Sequence, residues 1–214
     1  MPITGPGFQE LEQLAAIRSG QPRKATKQFW AAGCSVTMGV GVDTHQTWKE
    51  IVSRTIQLPY SDLSAEGSSV IWQSDQICQS EIMQGDLVLW ALTVPPRLPV
   101  IKQLSLFHLT PGEYAYDKSI DKQFPIDLLL HPTLMYHNIQ AIRRANNFCT
   151  RIGANLIVMS VLYDVENAAK LYDIPNYHQM CQSPQQWLDL GSDQLHPGPQ
   201  QHQAMADKFI ELIK

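Results

Sequence analysis

A serine hydroxyl attacks a carbonyl carbon only when a neighbouring base takes its proton and a third group holds that base in place. The chain offers such a set near its two ends. FWAAGCSVTMGVGV, Phe29 to Val42, runs from an apolar segment into Gly33, Cys34 and Ser35. Far along the chain, SDQLHPG places Asp193 three residues before His196. A DxxH spacing on a tight turn lets the carboxylate reach imidazole Nδ1 from within one loop, leaving Nε2 to face the serine. Pro197 and Gly198 stiffen and bend that turn. Ser35 is thus the candidate nucleophile, His196 the base and Asp193 the group that orients it. Backbone N–H groups at Ser35 and Gly67, each after a strand and before a helix, are candidates to hold a developing oxyanion. Alone, Ser35 reads as an ordinary small residue of a strand-to-helix turn; the DxxH block gives it a partner.

These residues need a frame. Lys27 to Ala32 reads as a first strand, and His45 to Leu58 as a helix with Thr44 as its N-cap. LPYSDLS is a short strand, followed by Glu66, Gly67, Ser68 and Ser69, the two serines reading as N-caps of a helix from Val70 to Met83 that Gly85 ends. Asp86 to Thr93 is apolar on both faces, as a central parallel strand is. Residues 98 to 130 form an irregular insertion with room for a hairpin. Thr133 to Arg151 is a long helix with Gly153 at C′, Asn155 to Leu162 a buried strand, and Gln201 to Ile213 the last helix. Between them, YDVENAAKLYDIPNYHQM reads as loop with at most a turn of helix. Alternation of strand and helix predicts a parallel sheet covered on both faces, with the ligand crevice beyond the carboxyl ends of the strands. Aromatic residues in 98 to 130 and 163 to 187 are candidates to line an acyl or sugar pocket.

The length of 214 residues suits one ordinary domain. With 44% hydrophobic and 17% charged residues the balance is that of a globular chain. A net charge of -4 and the lack of a basic block argue against a nucleic-acid partner. Cys34, Cys78, Cys149 and Cys181 form no CxxC pair and read as reduced, packed thiols. The histidines show no metal-ligand spacing, so no metal is expected. No secretory leader and no long apolar run is visible, which predicts no membrane association and a cytoplasmic location.

GCSVTMG resembles the first block of the SGNH/GDSL hydrolases, usually Gly-Asp-Ser-x-Thr-x-Gly, and SDQLHPGPQQH resembles their last block, Asp-x-x-His-Pro followed by a helix. EGSS stands where the second-block glycine is expected, and DLVLWAL matches the strand leading to the third. The resemblance implies a flavodoxin-like three-layer α/β/α sandwich with a parallel sheet of about five strands over residues 28–214, behind an N-terminal helical appendage at 1–27. It implies hydrolysis of esters, thioesters or acetylated sugars without a cofactor, and hence a small-molecule or carbohydrate ester as substrate.

Two positions depart from the family pattern. Cys34 replaces the usual aspartate, which is not the nucleophile. The third block normally supplies an asparagine to the oxyanion hole, yet no Asn lies between Met1 and His137. Thr93 is the first candidate substitute and Arg97 the second; otherwise backbone donors act alone or the site is inactive. The competing reading is therefore a non-catalytic binding or accessory module of the same fold. A nucleotide-binding protein ranks last, because no GxGxxG or GxxxxGK[ST] loop follows any strand.

Overall fold

Alternating side chains on short apolar strands give the sheet two buried faces, and the helices divide between them. The structure, a computed structural model, describes residues 27–92, 98–102, 105–109, 132–160, 174, 176–180 and 186–214. In chain order the elements are β1 (Phe29–Gly33), α1 (Ser35–Met38), a 3₁₀ turn (Thr44–Gln46), α2 (Trp48–Ile56), β2 (Tyr60–Ser64) and α3 (Val70–Gln79). Then follow β3 (Leu87–Leu92), β4 (Leu98–Lys102), β5 (Ser105–Leu109), α4 (Pro132–Ile152), β6 (Asn155–Ser160), β7 (Tyr177–Gln179) and α5 (Pro199–Ile213). Five strands form one sheet in the order β2-β1-β3-β6-β7, and every neighbouring pair is parallel. β4 and β5 pair antiparallel as a separate two-stranded ribbon, the hairpin for which residues 98 to 130 had room.

Strand residues two apart share a face. Trp30, Ala32, Val88, Trp90, Leu92, Leu156 and Val158 pack with Val70 and Ile77 of α3 and with Ile139, Ile142 and Ala145 of α4. The intervening Phe29, Ala31, Leu87, Leu89, Ala91, Ile157 and Met159 pack with Trp48 and Val52 of α2 and with Met205, Ala206 and Phe209 of α5. On that side the Trp48 and Phe209 rings lie 4.7 Å apart, centroid to centroid. The result is the expected three-layer α/β/α sandwich. No described helix is long and apolar enough to cross a membrane. The appendage proposed for residues 1–27 lies, but for Lys27, outside the described residues.

Several local expectations need correction. Thr44 does not cap α2; it opens the 3₁₀ turn behind Asp43, and Thr47 caps α2 by accepting the Glu50 N–H. The helix from Val70 ends at Gln79, and Ser80 rather than Gly85 closes it, its N–H bonding the Ile77 carbonyl. Ser69 is the N-cap of α3, its hydroxyl accepting the Trp72 N–H, whereas Ser68 turns its hydroxyl to the Gly33 carbonyl. β7 lies in a segment read as loop. Its three residues, Tyr177, His178 and Gln179, carry too little apolar pattern to announce a strand, and register with Val158, Met159 and Ser160 makes them one. Cys34 and Cys149 are buried free thiols and Cys78 a half-buried one. Burial pushes the Cys149 thiol up to about 12, so it stays protonated.

Candidate active site

β1 is buried from end to end and delivers its chain to the carboxyl edge of the sheet between β2 and β3. There the backbone turns at once into the single turn of α1. Gly33 permits this: a Cβ on it would stand 2.0 Å from Thr37 Oγ1 and 2.8 Å from the Ala91 carbonyl oxygen. Cys34 becomes the N-cap of α1, buried, with no side-chain cap bond. Ser35 takes the first helical position, where an N–H has no preceding carbonyl to serve. Gly39 ends the turn, its N–H bonding the Ser35 carbonyl.

The loop before α5 is folded on itself. Leu190 and Pro197 form an antiparallel bridge, the Gly191 N–H donates to the His196 carbonyl at 2.8 Å, and the Gly198 N–H donates to the Asp189 carbonyl at 3.0 Å. The Asp189 carboxylate accepts the Gln200 and Gln201 N–H groups at 3.0 and 2.9 Å, capping α5 from outside the helix. Within the loop, Asp193 Oδ1 accepts the Leu195 N–H at 3.0 Å and the His196 N–H at 3.1 Å. Its other oxygen, Oδ2, lies 2.5 Å from His196 Nδ1. The Leu195 N–H first, then the imidazole and the His196 N–H, hold the Asp193 carboxyl down at about 2.

An ionised carboxylate only accepts hydrogen bonds, so the proton between Asp193 and His196 sits on Nδ1. In the neutral ring with that tautomer the lone pair belongs to Nε2, which lies 3.0 Å from Ser35 Oγ. Ser35 itself is buried, while the Asp193 and His196 side chains are about a quarter exposed, at 28% and 23%. The three residues thus form a continuous hydrogen-bonded line reaching solvent. Chemically, such a line is able to carry a serine proton onto an imidazole nitrogen while a fixed carboxylate steadies the ring.

Gly67 follows β2 in the loop beside this turn. The Ala65 N–H bonds the Gly33 carbonyl at 3.3 Å, and the Ser68 hydroxyl bonds the same carbonyl at 2.9 Å. The loop bearing the Gly67 N–H is therefore fastened two residues upstream of Ser35. Thr93 and Arg97 lie outside the described residues.

Two supports of the site carry no signal that the sequence reading used. The segment after α1 receives the Asp193 loop: the Ser192 N–H donates to the Gly41 carbonyl at 2.8 Å, and Gly191 packs against the Gly41 backbone. Lys49, buried on α2, pairs with Asp62 of β2 and donates to the Met38 carbonyl at 3.4 Å, fixing the end of α1. A lysine in an amphipathic helix reads as solvated, and only the packed fold reverses that.

Neither a protein-family model nor a curated protein sequence matches the chain. Solved structures do. An acetyl xylan esterase, Est2A, from the rumen bacterium Butyrivibrio proteoclasticus superposes with a TM-score of 0.55 at 12% identity, over 89% of this chain and 64% of that one. A G-D-S-L-family protein from Desulfitobacterium hafniense DCB-2 gives 0.52 at 10% identity, over 87% of this chain and 99% of that one. A carbohydrate esterase family 2 enzyme with a carbohydrate-binding domain, from Corynascus thermopiles (Myceliophthora fergusii), gives 0.53 at 14% identity, over 90% and 67%. The chain spans just under two thirds of the acetyl xylan esterase, 64% of its length. The class defined at this level is the fold: a three-layer α/β/α sandwich shared with these solved structures, the architecture the end blocks implied.

Proposed function

We propose that the chain is a serine hydrolase of carboxylic esters, with an O-acetyl group on a carbohydrate as its leading substrate. The observation that carries this reading is the line from Asp193 through His196 to Ser35, with Nε2 3.0 Å from Oγ. The carbohydrate part rests on fold neighbours that are an acetyl xylan esterase and a family 2 carbohydrate esterase. Ser35 Oγ attacks the ester carbonyl carbon and passes its proton to His196 Nε2. The Ser35 and Gly67 N–H groups hold the oxyanion of the tetrahedral intermediate. His196 then protonates the departing alkoxide, leaving an acyl-serine. A water, deprotonated by His196, releases the carboxylic acid and restores Ser35.

A second reading, a binding module without turnover, is favoured by the lack of an asparagine before His137. Labelling with a fluorophosphonate separates the two. The hydrolase reading expects Ser35 Oγ to displace fluoride and to appear as the modified residue in peptide mapping, with Ser35→Ala unlabelled. A parent protein that resists the reagent and turns over no acetyl ester is a binding module.

A further inference from the structure

Three fully buried polar side chains stand behind the site: Trp90 of β3, Gln73 of α3 and Ser68 of the β2–α3 loop. Trp90 Nε1 donates to Gln73 Oε1 at 2.7 Å. Gln73 Nε2 donates to Ser68 Oγ at 2.8 Å and to the Ser68 carbonyl at 3.3 Å. Ser68 Oγ donates to the Gly33 carbonyl at 2.9 Å. The direction of the chain is fixed by chemistry. An indole only donates, so the Gln73 amide turns its oxygen to Trp90 and its NH₂ to Ser68. The Ser68 oxygen, already accepting, spends its own proton on Gly33.

The far end of this chain touches both candidate oxyanion donors' loops. Gly33 lies two residues before Ser35, and Ser68 directly follows Gly67. Apolar packing alone holds two loops near each other but leaves them free to slide; a directed, buried chain of hydrogen bonds fixes distance and rotation together. We propose that Trp90, Gln73 and Ser68 are positioning residues that set the separation of the Ser35 and Gly67 N–H groups, so that both reach one oxyanion. This rests on the hydrolase reading. Oxyanion donors act through placement, and a displacement of about 1 Å is enough to lower a rate by orders of magnitude.

The test compares Ser68→Ala, Gln73→Met and Trp90→Phe with the parent in hydrolysis of p-nitrophenyl acetate. Each rate is divided by the amount of Ser35 titrated to completion with the fluorophosphonate, which removes losses from unfolded protein. Ser69→Ala serves as the control, since Ser69 caps α3 by accepting the Trp72 N–H at 3.2 Å. Each relay variant is expected to lose at least about tenfold in kcat per titrated site, with KM within about twofold. The control is expected to lower the melting temperature and keep kcat per site. Relay variants that keep kcat per site within about twofold of the parent overturn the relay and leave the hydrolase reading standing. If Ser68→Ala and Gln73→Met fail to fold, Trp90→Phe decides by the same criterion. A parent in which Ser35 takes no phosphonate and hydrolyses no ester overturns the hydrolase reading, and the relay with it.

Discussion

Gly41 lies hard against Asp193: a Cβ on Gly41 would stand 2.8 Å from Asp193 Oδ1. Gly41 also has φ +88°, a conformation that side-chain-bearing residues rarely adopt. Gly41→Ala therefore pushes the carboxylate off the imidazole and strains the backbone. The expected outcome is a loss of at least about tenfold in kcat, with stability lower by about 1–3 kcal/mol. Steady-state kinetics and urea unfolding read the two effects separately. An unchanged kcat would show that the contact does not govern Asp193.

Ser35→Ala and His196→Ala should each lower turnover of an acetyl ester by at least about a thousandfold, the scale of losing a member of such a line. Both groups sit at the end of the fold rather than in its hydrophobic layers, so urea midpoints should move little. Either variant retaining the parent rate removes that residue from the mechanism.

His202 gives a pH dependence of stability. It is fully buried on α5, where its Nδ1 accepts the Trp48 N–H at 3.2 Å. Burial, with smaller contributions from Lys49 and His196 and against that of Asp189, lowers it to about 4. The folded state thus favours the neutral ring, and the unfolded chain takes up the proton first, near its ordinary pKa of about 6.5. Stability from this group is complete above about 6.5, falls as pH drops toward about 4, and changes no further below that, a total of roughly 3 kcal/mol. Asp193, held at about 2, weakens the fold only at lower pH, between its ordinary value and its folded one. Urea unfolding at pH 7 and pH 4.5 should show a larger decline for the parent than for His202→Gln. Parallel declines would refute the assignment.

If a third donor completes the proposed oxyanion hole, Thr93 is its first candidate. Thr93 follows β3, and its hydroxyl is able to donate one hydrogen bond. Thr93→Val keeps the shape and removes the donor. A drop in kcat of about tenfold or more with KM little changed marks a contact made in the transition state. With kcat unaltered, Thr93 is cleared, which leaves backbone amides, Arg97 or another group of residues 98 to 130 for the role.

What could be read from the sequence was local. β1, β3 and β6 announce themselves as apolar runs, and the Asp193–His196 contact spans a single turn. What escaped depends on distant segments meeting. β7 is a strand only because β6 lies beside it. Gln73 looks like any polar helix residue until Trp90 and Ser68 close around it. Two adjacent serines read alike as caps, and only the third dimension separates Ser69, which caps, from Ser68, which crosses to Gly33.

The three hydrogen bonds that hold Asp193 within its own loop bear on the order of assembly. Because they span only the residues 193–196, the Asp193 carboxylate and the His196 imidazole can pair as soon as that loop closes, before any sheet contact is made. The join to Ser35 is of the opposite kind, bridging residues 161 apart, and must wait for the whole sandwich. Hydrogen exchange during refolding should accordingly protect the Leu195 and His196 amides early and the Ser192 amide, which seals the loop onto Gly41, late.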